Sequence, residues 1–158
     1  MSVNAILAVD SNYGIGYENG LPWPHSKRDM KWFSDNTRGH VVVMGRTTWE
    51  SLGCKALPQR VNIVISNREI QGADKVVSGD LETVLADLQK EYSGQYIWVI
   101  GGANIYEQAL PYCEKLYLTT FKREFKCDTY IGEQKLNEFD KSIHREEDDE
   151  LIIEIRGR

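Results

Sequence analysis

The chain has 158 residues, of which 41% are hydrophobic and 27% are charged, and its formal net charge is −5. This composition is too hydrophobic for an intrinsically disordered protein, and the negative charge argues against nucleic-acid binding, which needs a basic surface. No apolar run approaches the roughly 20 residues that span a bilayer, so we expect neither a nucleic-acid nor a membrane partner.

Short apolar runs rich in β-branched residues alternate with helical patterns along the chain. The runs that predict strands are 3–9, 41–44, 61–65, 97–100, 116–121 and 151–155. The patterns that predict helices are 26–36, 47–52, 81–92 and 103–110. This alternation predicts one α/β domain over residues 1–158, with a mostly parallel central β-sheet and helices on both faces. Because no long helix separates the strands after Leu116, the C-terminal end of the sheet is predicted to be antiparallel.

The cysteines indicate the compartment. Cys54, Cys113 and Cys127 are an odd number without C-x-x-C spacing, which argues against a disulfide framework or a zinc site and favours a reducing cytoplasm. The histidines are scattered and form no ligand pattern. We therefore expect a cytoplasmic protein without a metal site.

The predicted strand at 97–100 leads through Gly101 and Gly102 into a helix. Paired glycines let the backbone approach a ligand closely, and the free N–H groups at a helix start can bind phosphate. The same residues also suit a tight turn without any ligand, because the motif is short.

A second strand end has a similar layout, with hydroxyl groups and an arginine at the start of the next helix. Its residues are Gly45, Arg46, Thr47 and Thr48. Together they favour an anion site, and the alternative is an ordinary N-cap beside a solvated arginine. Past a third strand end, Ser66 and Arg68 could add another anion contact. Two such turns in one small domain indicate an extended ligand with several phosphates, such as a dinucleotide.

The glycine-rich stretch 10–24 is predicted to be a long mobile loop over a site. It is not the dinucleotide-binding fingerprint G-x-G-x-x-G, because Asn19 stands where the third glycine would follow Gly14 and Gly16. Trp23, between two prolines, is either a loop anchor or part of a pocket rim.

Asp29 is the acid with the most informative position. Asp29, Trp32 and Phe33 share one helical face, which places the carboxylate beside apolar side chains. A carboxylate in such surroundings has a raised pKa and can bind a cationic heterocycle. The spacing from Ser26 to Asp29 equally fits a capping box, in which Asp29 would be an ordinary first-turn residue. Arg60, at a strand start, is either an exposed charge or a fork for a substrate carboxylate.

Several motifs, in order and with suitable spacing, make the chain resemble the dihydrofolate reductase family over nearly its full length. They are AVD (8–10) with the GIG loop (14–16), NGLPW (19–23), Asp29 before WF (32–33), NT (36–37), MGRTTWESLG (44–53), LP (57–58) with RVNI (60–63), VIGGANIYE (99–107), LYLT (116–119) and DT (128–129). Cys127 stands where the family often has glycine, in the loop that supports the lid.

The resemblance implies NADPH-dependent reduction of 7,8-dihydrofolate to 5,6,7,8-tetrahydrofolate, with hydride transfer to pterin C6 and protonation at N5. It implies that Asp29 holds the pterin, that Thr119 supports this acid, and that the loop of Leu21 admits the water that supplies the proton. The apolar substrate walls would be Ile6, Phe33, Leu52, Leu57 and Ile100, together with Leu21. Arg60 would bind the glutamate α-carboxylate.

The resemblance also implies a set of NADPH-binding residues. They are Ala8, Ile15, Gly45, Arg46, Thr47, Thr48, Ser66, Arg68, Gly101, Gly102, Ala103, Asn104 and Tyr106. Arg46 and Arg68 belong to the adenosine side with its 2′-phosphate, and Tyr106 to the nicotinamide side. Two alternatives stay open: a pterin or pyrimidine reductase of the same fold from another pathway, and a catalytically idle copy of the fold. Asp29 beside Trp32 and Phe33, together with Arg60, argues against the first. Intact Asp29, Gly101 and Gly102 argue against the second. We expect a monomer.

Overall fold

A central sheet flanked by helices forms the computed structural model, which describes residues 3–158. Its strands are β1 (Val3–Val9), β2 (Gly14–Gly16), β3 (Val41–Gly45), β4 (Val61–Ile65), β5 (Lys75–Val77), β6 (Ile97–Val99), β7 (Lys115–Phe121), β8 (Thr129–Tyr130), β9 (Lys141–Glu147) and β10 (Leu151–Gly157). Its helices are α1 (Lys27–Thr37), α2 (Arg46–Ser51), α3 (Leu81–Glu91), α4 (Ala103–Ala109) and α5 (Glu133–Asn137), with a 3₁₀ turn at Leu110–Tyr112.

The main sheet has the strand order β5-β4-β3-β6-β1-β7-β10-β9. Neighbouring strands are parallel from β5 to β7, and β10 is antiparallel to both β7 and β9. The predicted α/β class, with a mostly parallel sheet and an antiparallel C-terminal end, is confirmed. The first two residues of the predicted domain lie outside the described chain.

Both faces of the sheet are covered, because alternate residues of each strand point to opposite sides. On β3, Val41 and Val43 pack with α3 and α4, while Val42 and Met44 pack in a second cluster with Trp49 of α2. Such strands are apolar on every residue, as expected for a parallel sheet buried on both faces. Helices on both faces were predicted from the alternation of elements, and this is confirmed.

Local signals explain where the helices begin. Ser26 caps α1 by accepting a hydrogen bond from the backbone N of Asp29 at 3.3 Å, and Asp80 caps α3 by accepting one from Thr83 N at 2.8 Å. An oxygen in this position satisfies an N–H that has no partner within the helix. The α1 cap matters for the site, because it sets the position of Asp29.

Several elements differ from the sequence predictions. The stretch 10–24, predicted as one long loop, contains the strand β2, which pairs with β8 far along the chain. Strand β9 was not predicted, because its polar residues are all exposed and show no apolar period. The short elements β5 and α5 were also missed. Within residues 3–158, no helix is both long and apolar enough to cross a bilayer.

Candidate active site

A cavity of about 450 Å³ opens where β1, β3, β4 and β6 end. Parallel strands direct their carboxyl ends to one edge of the sheet, and ligands bind there in open α/β folds. The predicted cofactor residues that line it are Ala8, Ile15, Gly45, Arg46, Thr47, Thr48, Gly101, Gly102, Ala103, Asn104 and Tyr106. Leu21 and Ile100 line the same cavity.

Two of the predicted glycines are required by the local geometry. Gly101 has φ +125°, a conformation that other residues rarely adopt, and its carbonyl accepts a hydrogen bond from Gly45 N at 2.9 Å. A Cβ on Gly45 would lie 2.9 Å from Cγ1 of Ile105 in α4, so only glycine lets this helix pack so closely on β3. The peptide bond between Gly101 and Gly102 is cis. The turn therefore presents backbone, without side chains, to the cavity.

The lining changes in character along the sheet edge. Beside β1 and β6 it is apolar, with Ala8, Ile100 and the ring of Tyr106. Beside β3 it carries the guanidinium of Arg46 and hydroxyl groups, including that of Thr48. Arg46 is half-exposed, and its Nη1 lies 3.7 Å from Oε2 of Glu50 on the same helix. This contact leaves most of the N–H donors of the guanidinium free.

Ser66 and Arg68 lie at the end of β4 and are not part of the cavity lining. Ser66 Oγ accepts a hydrogen bond from Arg68 N at 3.0 Å, and the Arg68 side chain is exposed. The structure therefore does not bring these two residues into contact with the cavity. Their role at the adenosine end stays a prediction.

Asp29 projects from the first turn of α1 into a half-buried position. Burial raises the pKa of its carboxyl group, and the Thr119 side chain acts in the opposite direction as a hydrogen-bonding partner. Thr119 is itself buried, on β7. The cap of α1 is Ser26, and within residues 3–158 the Asp29 carboxylate accepts no hydrogen bond from Ser26 N. The capping-box alternative is thus only half present, because the carboxylate does not make its contact of the capping box.

The predicted apolar wall residues lie together. One cluster holds Ile6, Phe33, Leu52, Leu57 and Ile100, around a centre that includes Met44 and Trp49. Tyr106 joins this region to the cavity, because its hydroxyl donates a hydrogen bond to the carbonyl of Ile6 at 2.8 Å. Leu21 is 67% exposed at the cavity mouth. Trp23 is a loop anchor, since it is buried and stacks on Phe121 with ring centroids 4.4 Å apart.

Arg60 is held in place by neighbouring groups. Its Nε donates to the carbonyl of Pro58 at 2.9 Å, and Nη1 donates to Thr37 Oγ1 at 3.1 Å. The guanidinium carbon lies 5.9 Å from the centre of the Phe33 ring. Burial lowers the pKa of Arg60, and nearby Arg38 lowers it further. These contacts hold the Arg60 guanidinium against the protein, unlike the exposed strand-start charge that the sequence analysis gave as one alternative.

Asp10 organises the ribbon of β2 and β8, and the sequence analysis did not single it out. Its buried carboxylate accepts hydrogen bonds from the backbone N of Asn12, Gly14 and Phe125 at 2.8–2.9 Å. Burial raises the pKa of Asp10, but these N–H donors outweigh burial and hold it below the usual value. The ribbon is therefore fastened to the loop that precedes β8.

Other cavity residues were also missed. They are Leu7, Gly16, Asn19, Gly20, Ser51, Ile65, Ile105 and Thr129. Helical spacing from Thr47 and Thr48 could have found Ser51, because it lies three and four residues further along α2. Thr129 had no such signal, because only the pairing of β8 with β2 brings it to the cavity.

Comparison with known proteins identifies the family of the chain. A sequence profile of the family described as dihydrofolate reductase matches residues 2–154. The chain is 39% identical over 145 residues to the dihydrofolate reductase of Buchnera aphidicola subsp. Acyrthosiphon pisum, covering 92% of this chain and 88% of that protein. It is 39% identical over 144 residues to the Bacillus subtilis protein of the same name, covering 89% of this chain and 78% of that protein.

A solved structure is also similar. It is the dihydrofolate reductase from Enterococcus faecalis complexed with NADP(H) and RAB-propyl, with a TM-score of 0.85 and 28% identity. The match covers 99% of this chain and 96% of that one. The resemblance inferred from the sequence motifs is confirmed, and the chain belongs to the dihydrofolate reductase family.

Proposed function

We propose that this protein catalyses the NADPH-dependent reduction of 7,8-dihydrofolate to 5,6,7,8-tetrahydrofolate. The observation that carries the proposal is Asp29, a half-buried carboxylate with a raised pKa, next to Thr119 and on the same helix as Phe33 of the apolar cluster. A carboxylate in such a place can bind a flat, partly cationic ring in water-poor surroundings. Family membership and the cavity at the sheet edge support the same function.

The cavity fits a dinucleotide cofactor. Its volume of about 450 Å³ is typical of small-molecule sites, and its lining changes from apolar to hydroxyl-bearing and cationic along the sheet edge. The apolar part suits a nicotinamide ring, and Arg46, Thr47 and Thr48 suit phosphate groups. The glycines of the 101–102 turn leave room for a diphosphate against the backbone. NADPH bound here would supply the hydride.

The protein residues position the pterin and control its protonation. Asp29 would hold the amino-substituted edge of the pterin, with Thr119 as a second polar contact. The apolar cluster around Ile6, Phe33 and Ile100 would exclude water from the ring faces, which strengthens the interaction with Asp29. Asp29 would then stabilise the pterin protonated at N5, which is the form that accepts hydride at C6. The proton would arrive from water admitted beside Leu21.

One assay separates this function from its alternatives. Purified protein is mixed with NADPH and 7,8-dihydrofolate, and the loss of NADPH absorbance is followed. Activity with dihydrofolate supports the proposal. Folded protein that binds NADPH and is silent with dihydrofolate would point to a reductase with another substrate, and folded protein that binds neither would point to an idle copy of the fold.

The Asp29→Asn variant tests the acid. Asparagine keeps the shape of the side chain but removes the charge, so protonated pterin is no longer stabilised. At neutral pH we expect kcat/KM to fall about 10²–10⁴-fold, the usual contribution of a positioned acid–base group. The deficit should shrink as the pH is lowered, because solution acid can then protonate the substrate. A pH–rate profile beside the parent enzyme is the measurement. If kcat/KM of the variant at pH 7 lay within about threefold of that of the parent, Asp29 would not have the proposed catalytic role.

We also infer a cytoplasmic location and a role in supplying tetrahydrofolate for one-carbon metabolism. Cys54, Cys113 and Cys127 are all free thiols, which supports a reducing compartment. We expect a monomer, and the molecular mass from light scattering would test this.

A further inference from the structure

One buried amide ties both ends of the turn 57–60 to the sheet. The side-chain oxygen of Asn62 on β4 accepts a hydrogen bond from Leu57 N at 2.8 Å. Its Nδ2 donates to the carbonyl of Leu57 at 3.0 Å and to that of Arg60 at 2.9 Å. Asn62 is fully buried, so these bonds have no competition from water. The oxygen and both N–H groups of this amide are thus devoted to the turn.

Asn62 is itself anchored in the sheet. Its backbone N donates to the Asp74 carboxylate at 2.7 Å, and its carbonyl accepts from Asp74 N at 2.9 Å. The turn that it holds contains Gln59 with φ +62°, a left-handed conformation that is unfavourable for residues other than glycine. Such a conformation persists only where the surroundings enforce it, and the Asn62 amide is the group that spans the turn.

The same turn aims the Arg60 side chain. Arg60 Nε bonds to the carbonyl of Pro58, within the turn, at 2.9 Å. Arg60 Nη1 bonds at 3.1 Å to Thr37 Oγ1, which in turn donates to the Phe33 carbonyl of α1 at 2.8 Å. The guanidinium is therefore oriented from two sides, and its remaining N–H groups are left for a partner.

We propose that Asn62 is a positioning residue for recognition of the substrate tail. By fixing the turn 57–60, it presents the Arg60 guanidinium in the orientation that an α-carboxylate requires, so that this ordering is complete before substrate binds. Asn62 acts through Arg60 and does not touch the substrate. The inference rests on the proposed function, in which dihydrofolate carries that carboxylate.

The test compares KM and kcat for dihydrofolate with those for a dihydropterin that lacks the glutamate tail. For Asn62→Ala we expect KM for dihydrofolate to rise about tenfold or more, the usual effect of losing a well-placed charged hydrogen bond. The kcat should stay within about twofold, because the contact is remote from the reacting carbon. The KM for the tailless substrate should also stay within about twofold.

A double mutant shows whether Asn62 acts through Arg60. In an Arg60→Leu background, Asn62→Ala should change KM for dihydrofolate by less than about twofold, because the group that it positions is gone. Fully additive effects, or equal losses with both substrates, would mean general structural support and would overturn the inference.

Thr37 provides a second route if Asn62→Ala does not fold. Thr37→Ser keeps the hydroxyl that contacts Arg60, and Thr37→Val removes it with little change of shape. We expect Thr37→Val to raise KM for dihydrofolate several-fold over Thr37→Ser, with the tailless substrate unaffected. Identical KM values for these two variants would mean that dihydrofolate binding does not depend on how the Arg60 guanidinium is oriented, which would overturn the inference. If the parent is active and the variants keep its KM for dihydrofolate, this inference fails and the proposed function stands. If the folded parent is inactive on dihydrofolate, the proposed function and this inference both fail.

Discussion

Asp29 is held in a position that is unfavourable for its charge. Burial raises the pKa of its carboxyl group above the ordinary value of 3.8, and the contact with Thr119 only partly offsets this. The folded state therefore binds the Asp29 proton more tightly than the unfolded state does. At any pH where the carboxylate is ionised, keeping it in this place costs free energy of folding. Functional sites often accept such a cost.

The cost predicts that Asp29→Asn stabilises the fold while it impairs catalysis. Above the raised pKa the parent carries a poorly solvated charge that asparagine lacks, so the free energy of unfolding should be higher in the variant at pH 7. The gain should shrink as the pH falls through the raised pKa, and it should vanish below 3.8, where both states are protonated. Urea unfolding at several pH values measures it.

Asp35→Asn is the matched control on the same helix. Asp35 is exposed, and its Oδ2 pairs with Lys31 Nζ at 2.6 Å, an i,i+4 surface pair of small net effect. Its removal should change stability little at any pH. If the two variants showed the same pH dependence, the raised pKa of Asp29 would not be the cause.

At this scale the sequence could identify some site residues and not others. Helical spacing placed Asp29 on one face with Trp32 and Phe33, and both aromatic residues do pack in the cluster behind it. Asp10 and Asn62 carried no signal, because each is a single polar residue at the edge of or inside an apolar strand. Their partners are backbone groups that come together only in the folded chain.

At the scale of elements, the ribbon of β2 and β8 depends on a close contact between two small residues. A Cβ on Gly14 would lie 2.2 Å from Cys127 Sγ and 2.8 Å from Cys127 Cβ. Ile15 and Gly16 of the same strand line the cavity, so a shift of the ribbon reaches the cavity that we propose binds NADPH. Gly14 thus makes room for the side chain of Cys127.

This contact predicts a rescue experiment. Gly14→Ala should lower the free energy of unfolding by about 1–3 kcal/mol, as is typical of overpacking, and should raise KM for NADPH. Adding Cys127→Gly removes both of the nearest atoms and should restore most of each loss. Cys127→Ala, which keeps Cβ, should restore less. Chemical unfolding and steady-state kinetics of the four proteins supply the data, and a double mutant as impaired as Gly14→Ala would contradict the packing explanation.

The elements that the sequence could predict are those whose burial leaves a pattern. Strand β3 is a continuous apolar run, β1 and β4 are apolar runs each interrupted by a single asparagine, and α3 has buried residues at helical spacing. Strand β9 is exposed along its whole length and is defined only by its hydrogen bonds to β10. Strand β2 depends in the same way on β8, 113 residues after it at the nearest pairing. The pairing of a short or fully exposed segment with its partner strand cannot be inferred from the composition of that segment.

At the scale of the whole molecule, the strand order decides where the chemistry can occur. Strands β3, β6, β1 and β7 are neighbours in the sheet although they are spread over the chain, and they bring Arg46, Gly101, Ala8 and Thr119 to one region. The cavity is lined by segments from residue 7 to residue 129. A ligand that fills it contacts segments that are far apart in the chain, so binding and global stability should be coupled.

Thermal unfolding with nicotinamide cofactors measures this coupling. A ligand at 100 times its Kd stabilises the folded state by about 2.7 kcal/mol, which for a chain of this size is a rise in Tm of about 5–10 °C. We expect a rise of this size with NADPH, and a smaller one with the same concentration of NADH, which lacks the 2′-phosphate.

In Arg46→Ala, NADPH affinity should fall about tenfold, so the rise in Tm that NADPH causes should be smaller by about 3–5 °C. The NADH shift should stay as in the parent. Glu50→Gln is the matched control, because it removes the partner of Arg46 and keeps the cation. Its NADPH shift should equal or exceed that of the parent. If Arg46→Ala reduced the shifts of NADPH and NADH equally, Arg46 would not read the 2′-phosphate.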